Sequence, residues 1–183
     1  MAKTLYLIVS GAMAREPVSD LVRGLQGADW RVSVLSTPMG TRFHDPAELA
    51  ELTGEPVRVE FRMPGTGAPL PPPDAVLACP LTFTSVNKIA NGIADGFAIG
   101  LVCEMFGFGV PTLLVPHCKP DLASHPAFAR SLATLRAVPR VTVLHDPAAA
   151  HPPSWGEVTA ALEEASAAGR GDAPADGGYG YAG

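Results

Sequence analysis

The chain has 183 residues, 47% hydrophobic and 17% charged, with 13 Lys+Arg against 18 Asp+Glu for a formal net charge of −5. That length fits one domain with room for a real core, and the composition argues against charge-driven disorder. No basic run and no apolar stretch near ~20 residues occurs, which argues against a nucleic-acid backbone binder and a membrane span. Gly and Pro number 19 each, so turn-formers are abundant and their positions carry information. Leu5 to Val9 is a near-continuous apolar run, the mark of a strand buried on both faces. It is too short for an export-signal core. Ser10-Gly11-Ala12 is its turn, and residues 15–27 carry Val18, Leu21, Val22 and Leu25 at helical spacing. Arg31 to Ser36 is a second strand, with Thr37-Pro38-Met39-Gly40 as its turn.

Asp45-Pro46 opens a second helix, Asp as N-cap and Pro in the first turn, running to Leu52. Val57 to Phe61 is a candidate short strand, and the proline-rich residues 64–73 form a surface loop. Ala75 to Cys79 is a third buried strand ending at Pro80. Residues 85–105 read as a helix or helix pair, Val110 to Val115 as a fourth strand, and residues 126–137 as a helix. Val141 to Leu144 is a fifth strand, and 155–168 the last helix. The domain spans residues 1–168, and the Gly-rich residues 169–183 are expected to be a disordered tail.

Alternating strands and helices imply an α/β three-layer fold. It has a parallel sheet of about five to six strands with helices on both faces. Ligands in such sheets sit beyond the carboxyl ends of the strands. The loops there are Ser10 to Ala12, Ser36-Thr37, Pro80 to Ser85 and Pro116 to Lys119. Small and hydroxyl residues let backbone N–H groups approach a phosphate. Neither GxGxxG nor GxxxxGK[ST] is present, so a mononucleotide fits better than a dinucleotide or triphosphate. Cys79, Cys103 and Cys118 make no disulfide framework and fit a reducing cytoplasm, and no Cys/His spacing suits a metal.

The segment Pro80-Leu81-Thr82-Phe83-Thr84-Ser85-Val86-Asn87-Lys88-Ile89-Ala90-Asn91-Gly92-Ile93-Ala94-Asp95 is the most specific feature. It resembles the P-[AL]-[ST]-A-N-T-x-x-K-x-A-x-G-x-[AC]-D pattern of the homo-oligomeric flavin-containing cysteine decarboxylases (HFCD family). The turn Ile8-Val9-Ser10-Gly11-Ala12, and Ser36-Thr37-Pro38 followed by Phe43, are similar to that family's first two turns. The resemblance covers roughly residues 4–145. It implies a Rossmann-like (flavodoxin-like), FMN-binding subunit that assembles as a homotrimer or homododecamer, with the flavin at a subunit interface. It also implies oxidative decarboxylation of a cysteine carboxyl, on a peptide C-terminus or a small thiol. By motif match the cofactor contacts are Ser10, Gly11, Ala12, Ser36, Thr37, Phe43, Pro80, Thr82, Phe83, Thr84 and Ser85.

The chain departs from the family where chemistry is expected. Pro56-Val57-Arg58-Val59-Glu60 stands against P-V-x-H-x-E, placing Arg58 at or beside the catalytic His. Pro116-His117-Cys118-Lys119 stands against P-x-M-N, placing Lys119 at the Asn, and Thr84 replaces the Asn of A-N-T. Arg58, His117, Lys119 and Thr84 are therefore the candidate catalytic residues. An arginine cannot act as a base near neutral pH, but its fork can hold a carboxylate. His117 or Lys119 could move a proton, and either could lower the pKa of Cys118. His125 is expected to be structural at a helix start, and His44 to be an exposed turn residue. Two other readings stay open: a non-catalytic or regulatory flavin binder, and a group-transferring flavoprotein of the related flavin prenyltransferase branch.

Overall fold

The apolar run at the start of the chain forms β1 (Lys3–Val9), whose residues from Leu5 onward are all buried. The other strands are β2 (Trp30–Ser36), β3 (Ala75–Leu81), β4 (Thr112–Pro116) and β5 (Val141–Val143). Together they make one sheet in the order β2-β1-β3-β4-β5, every pairing parallel. This is a computed structural model, and it describes residues 2–63, 66, 68–149 and 151–168. The expected tail at 169–183 lies outside the described residues, as do residues 64, 65 and 67 of the proline-rich loop.

Side chains alternate across a strand, so β1 feeds two cores. Leu5, Leu7 and Val9 pack with α1 (Val18–Gly27), α2 (Pro46–Thr53) and α7 (Trp155–Ala168). Tyr6 and Ile8 pack with α3 (Phe83–Ala90), α4 (Phe97–Gly107) and α6 (Pro126–Arg136). A further short helix, α5 (Pro120–Ala123), follows β4. Both sheet faces are thus covered, which is why the strands read as continuous apolar runs rather than alternating ones.

Local chemistry sets the helix boundaries. The Asp45 carboxylate accepts from the N–H groups of Ala47 and Glu48, Pro46 occupies the first turn, and Gly54 closes α2 at φ 71°. The residues 85–105 divide into α3 and α4, because Gly92 turns left-handed at φ 65° between them. Helix α1 begins at Val18, later than the expected 15, directly after Pro17, whose ψ of 139° is extended.

One expected strand is absent. Between Val57 and Phe61 a single residue pairs: Arg58 N–H donates to the Val34 carbonyl at 3.0 Å and the Arg58 carbonyl accepts from Ser36 N–H at 2.8 Å. These bonds cover part of the free edge of β2 without extending the sheet.

Candidate functional site

In the order β2-β1-β3-β4-β5, the chain leaves β1 toward β2 on one side and β3 toward β4 on the other. That switch point opens a crevice at the carboxyl ends of β1 and β3. Ser10 joins the two strands there. Its N–H and Oγ–H both donate to the Pro80 carbonyl, at 3.2 and 2.8 Å, and its Oγ accepts from Thr82 N–H at 2.9 Å. Two further bonds tie the neighbouring loops, Thr37 N–H to the Val9 carbonyl at 2.9 Å and His117 N–H to the Leu81 carbonyl at 2.8 Å.

Thr82 is the N-cap of α3. Its Oγ1 accepts from Ser85 N–H at 3.1 Å and lies 2.9 Å from Ser85 Oγ. The helix therefore begins at the crevice with its partial positive end toward it.

Two adjoining cavities fill the crevice. One, of about 390 Å³, is lined by Gly11, Ala12, Phe43, Thr82, Phe83, Thr84, His117, Cys118 and Lys119, with Met13 and Leu122. The other, of about 510 Å³, is lined by Gly11, Thr37, Pro38, Met39, Thr82, Thr84, Ser85 and Lys88, and by Asp95 to Ile99. They share Gly11, Thr82 and Thr84. Each lies in the ordinary size range of a small-molecule site, roughly 300–1,000 Å³.

Most residues expected in the site meet here, but four line neither cavity. Pro80 is buried inside β3, which runs one residue past it, and contributes its carbonyl to Ser10. Ser36 has no exposed surface; its Oγ lies 2.9 Å from His44 Nε2 and 3.0 Å from the Thr37 carbonyl. Ser36 therefore holds its turn and faces neither cavity. Arg58 lines neither cavity, and its guanidinium donates to the Ala68 carbonyl at 3.0 Å. Its backbone pairing with β2 turns it toward the proline-rich loop. Ser10, too, acts through the joint it forms, being 1% exposed.

Sequence reading missed Met13, Met39 and the start of α4, which only the folded chain brings to the crevice. Met39 and Phe43 lie across Gly11: a Cβ there would sit 2.5 Å from Met39 Cγ and 3.3 Å from Phe43 Cε2. Lys88 and Asp95, both part of the motif, form an ion pair at 2.8 Å that ties α3 to the loop before α4. Asn87 is likewise structural: it donates to the Phe83 carbonyl and accepts from Ser131. His125 caps α6, its Nδ1 accepting from Ala127 N–H at 3.1 Å.

The expectation of an exposed His44 is corrected by its contact with Ser36. Burial lowers its pKa, and the charge of neighbouring Asp45 opposes that. Burial also lowers the pKa of His117 and of His145, the latter opposed by a hydrogen bond to the Pro116 carbonyl. A neutral His117 can accept a proton at neutral pH. Cys118 shows no sign of activation, because burial pushes its thiol up.

These three histidines carry a stability consequence. Each has a folded pKa below its unfolded value near 6.5. The unfolded chain therefore binds more protons on acidification, and the contribution present above the unfolded value is lost as pH falls through the folded values. The melting temperature is expected to drop between about pH 7 and about pH 5.5 and to drop less in His44→Asn. An unchanged pH profile in that variant would remove His44 from the account.

Most of the chain matches one family description. Residues 1–166 match the Flavoprotein family. The chain belongs to that family. Among curated relatives, the coenzyme A biosynthesis bifunctional protein CoaBC of Mycobacterium tuberculosis (strain ATCC 25618 / H37Rv) is 30% identical over 150 residues, covering 80% of this chain and 35% of that protein. CoaBC of Bacillus subtilis (strain 168) is 25% identical over 139 residues, covering 73% and 34%. The chain thus spans about a third of the length of the curated relatives it matches. Similar folds include the FMN-dependent cysteine decarboxylase TvaF from thioviridamide biosynthesis, at 24% identity and TM-score 0.69, covering 91% of this chain and 99% of TvaF. The cypemycin decarboxylase CypD aligns at 20% identity and TM-score 0.72, covering 92% and 96%. HAL3 from Cryptococcus neoformans aligns at 19% identity and TM-score 0.69, covering 91% and 97%. The fold of this flavoprotein is that of FMN-dependent cysteine decarboxylases. No helix among the described residues is long and apolar enough to cross a membrane.

Proposed function

We propose that this flavoprotein binds FMN in the crevice and uses it on a cysteinyl thiol, a small molecule or a peptide C-terminus, with oxidative decarboxylation as the reaction. The observation that carries this reading is the crevice itself. It lies at the β1/β3 switch point, lined with Thr37, Thr82, Thr84 and Ser85 at the start of α3. The donor set suits a phosphate and a ribityl chain, and Gly11, which lines both cavities, keeps the first loop small beside it. Phe43 and Phe83 give apolar surface for the flavin ring. When bound, FMN supplies a two-electron sink for oxidising the thiol carbon, which lets the neighbouring carboxylate leave as CO₂.

The chain's own residues position and deprotonate. His117, neutral through burial, accepts the thiol proton. Lys119 lines the same cavity and can hold the substrate carboxylate by charge. Thr84 offers a hydroxyl where the resembled pattern has an amide. An ammonium on the carboxylate strengthens ground-state binding, and its charge partner is lost as CO₂ forms. This favours tight binding over a fast chemical step.

The placement of Arg58 favours a second reading, a flavin binder without decarboxylase activity. From its own chain Arg58 does not reach the crevice. In a homotrimer or homododecamer it could serve only the crevice of a neighbouring copy. An apolar rim supports such assembly: Phe61, Met63 and Ile93 are 66%, 71% and 47% exposed, and Phe61 stacks edge-on with Phe97 of the crevice wall. The three free cysteines suit a cytoplasmic setting.

The test is the absorption spectrum of the purified protein, followed by anaerobic mixing with a peptide ending in cysteine. Flavin bleaching with loss of CO₂ and two hydrogens from the peptide supports decarboxylation. A flavin that stays oxidised with every cysteinyl thiol supports the binder, and a protein that takes up no FMN overturns both. Arg58→Ala is expected to change FMN affinity by less than about twofold, as for a surface substitution. A large loss of affinity would show that Arg58 reaches the cofactor.

A further inference from the structure

The loop between β2 and α2 carries a polar cluster set behind the crevice wall. Ser36 and His44 close it, with Ser36 Oγ 2.9 Å from His44 Nε2. The same hydroxyl lies 3.0 Å from the Thr37 carbonyl and 3.4 Å from the Val9 carbonyl. A hydroxyl has one proton, and a carbonyl can only accept. Were that proton given to His44, two carbonyl oxygens would face the hydroxyl oxygen with no hydrogen between them. The proton therefore goes to a carbonyl, and His44 donates from Nε2. This assigns the tautomer of the neutral ring, with the hydrogen on Nε2 and Nδ1 bare.

His44 Nδ1 is the single buried side-chain nitrogen or oxygen among the described residues that has no hydrogen-bond partner. Protonation would place a charged N–H there, which costs more to bury unpaired than a bare nitrogen. The acceptors beside it are taken. The Asp45 carboxylate accepts from the N–H groups of Ala47 and Glu48, and the Asp45 carbonyl from Leu49 N–H at 3.1 Å. Glu48 is paired with Arg23, and Arg42 on the other side is exposed. The β1 and β2 groups reached through Ser36 are neutral. Asp45 favours the protonated ring through its charge and its backbone, but burial outweighs both.

The turn held this way forms part of the crevice. Thr37 N–H donates to the Val9 carbonyl at 2.9 Å, and the Thr37 carbonyl accepts from Thr41 N–H at 3.3 Å. Thr37 Oγ1 accepts from Gly40 N–H at 3.0 Å, which leaves its own O–H to be donated. Thr37, Pro38 and Met39 all line the larger crevice cavity. Ser36, between the His44 ring and the Thr37 carbonyl, joins the ring to that wall.

We propose that His44 is a positioning residue for the cofactor: its neutral ring, donating from Nε2 to Ser36, holds the Ser36–Gly40 turn in the shape that presents Thr37 to the crevice, and protonation releases the turn. The cofactor half of this statement rests on the proposed function above; the turn half does not. A second proton on His44 finds an acceptor only if Asp45 gives up the cap of α2 or the ring leaves its place. Either outcome frees Ser36. Cofactor binding is therefore strongest with His44 neutral, and it weakens as pH falls through a folded value that lies below the ordinary 6.5.

The first measurement needs no flavin. The imidazole nitrogen resonances of the full-length protein are followed together with the Thr37 and Gly40 amides from about pH 7.5 to about pH 5. His44 should be bare at Nδ1 at the upper end, and both amides should move with the midpoint of His44. A hydrogen on Nδ1 of the neutral ring, or amides that stay still while His44 titrates, overturns the proposal. The second measurement is the FMN dissociation constant. The FMN phosphate itself takes up a proton at about pH 6, so the wild type is set against His44→Gln. Glutamine can donate from its amide nitrogen where Nε2 stands, and it does not titrate. At about pH 7.5, His44→Gln should bind FMN within about twofold of the wild type and His44→Leu about tenfold more weakly. By about pH 5 the wild type should have lost about tenfold more affinity than His44→Gln. Thermal unfolding at each pH confirms that every form compared is folded. Equal losses in the wild type and His44→Gln overturn the proposal, as does wild-type affinity in His44→Leu. If no form binds FMN while the Thr37 amide still follows His44, the flavin reading fails and the coupling of His44 to the turn stands.

Discussion

Ser10→Ala is expected to destabilise the protein by about 1–3 kcal/mol and to weaken FMN binding with it. The hydroxyl is 1% exposed and serves two partners at once. It donates to the Pro80 carbonyl and accepts from Thr82 N–H. Removing it leaves the carbonyl with the longer bond from Ser10 N–H at 3.2 Å. It leaves Thr82 N–H with no such compensation, and a half-buried donor without a partner costs its desolvation. The effect does not stay local, because Thr82 is the residue that caps α3. Loosening its backbone disturbs the helix end that lines both crevice cavities. Urea unfolding gives the stability change and flavin fluorescence gives the affinity. A variant as stable as the wild type, with unchanged affinity, would show that the Ser10 joint does not organise the site.

β1, β3 and β4 were legible because they are buried on both faces, so Leu5 to Val9 and Ala75 to Cys79 stand out as unbroken apolar runs. The ends of α2 were legible because Asp45, Pro46 and Gly54 act within a few residues of one another. Burial and capping of this kind are local and leave local marks. The site was legible as a set of loops and less so as a set of side chains. Ser36 and Thr37 are adjacent and chemically alike, yet Ser36 turns inward to His44 while Thr37 lines a cavity. That choice depends on the Val9 carbonyl, which arrives from β1, and on the room that Gly40 leaves beside the Ser36 hydroxyl. Arg58 fits a catalytic position by alignment, but pairing with Val34 and Ser36 turns its side chain to Ala68. Met13, Met39 and the start of α4 carry no motif, and only the crossing of three loops brings them together.

Gly40→Ala and Gly11→Ala add the same methyl group in the turns after β2 and β1 and are expected to fail in different ways. At Gly40 the new Cβ would lie 2.7 Å from the Val9 carbonyl oxygen and 2.5 Å from Ser36 Oγ. The carbonyl belongs to β1 and already accepts from Thr37 N–H at 2.9 Å. Ser36 is fixed on its other side by His44. Neither neighbour can retreat without moving the turn, so overpacking should cost about 1–3 kcal/mol and lower the melting temperature. At Gly11 the close neighbour is the Met39 side chain, at 2.5 Å from Cγ. Met39 is 53% exposed and unbranched, so it can swing away. Stability should then change by less than about 1 kcal/mol. The displaced side chain and the added methyl, however, take up space in both crevice cavities, where Gly11 is a shared wall. FMN affinity should fall at least about tenfold, the loss expected when a close backbone approach is blocked. Thermal unfolding without flavin and flavin titration separate the two effects. If Gly11→Ala binds FMN like the wild type, the cofactor does not lie against the first loop, and the crevice at the β1/β3 switch point is not its site.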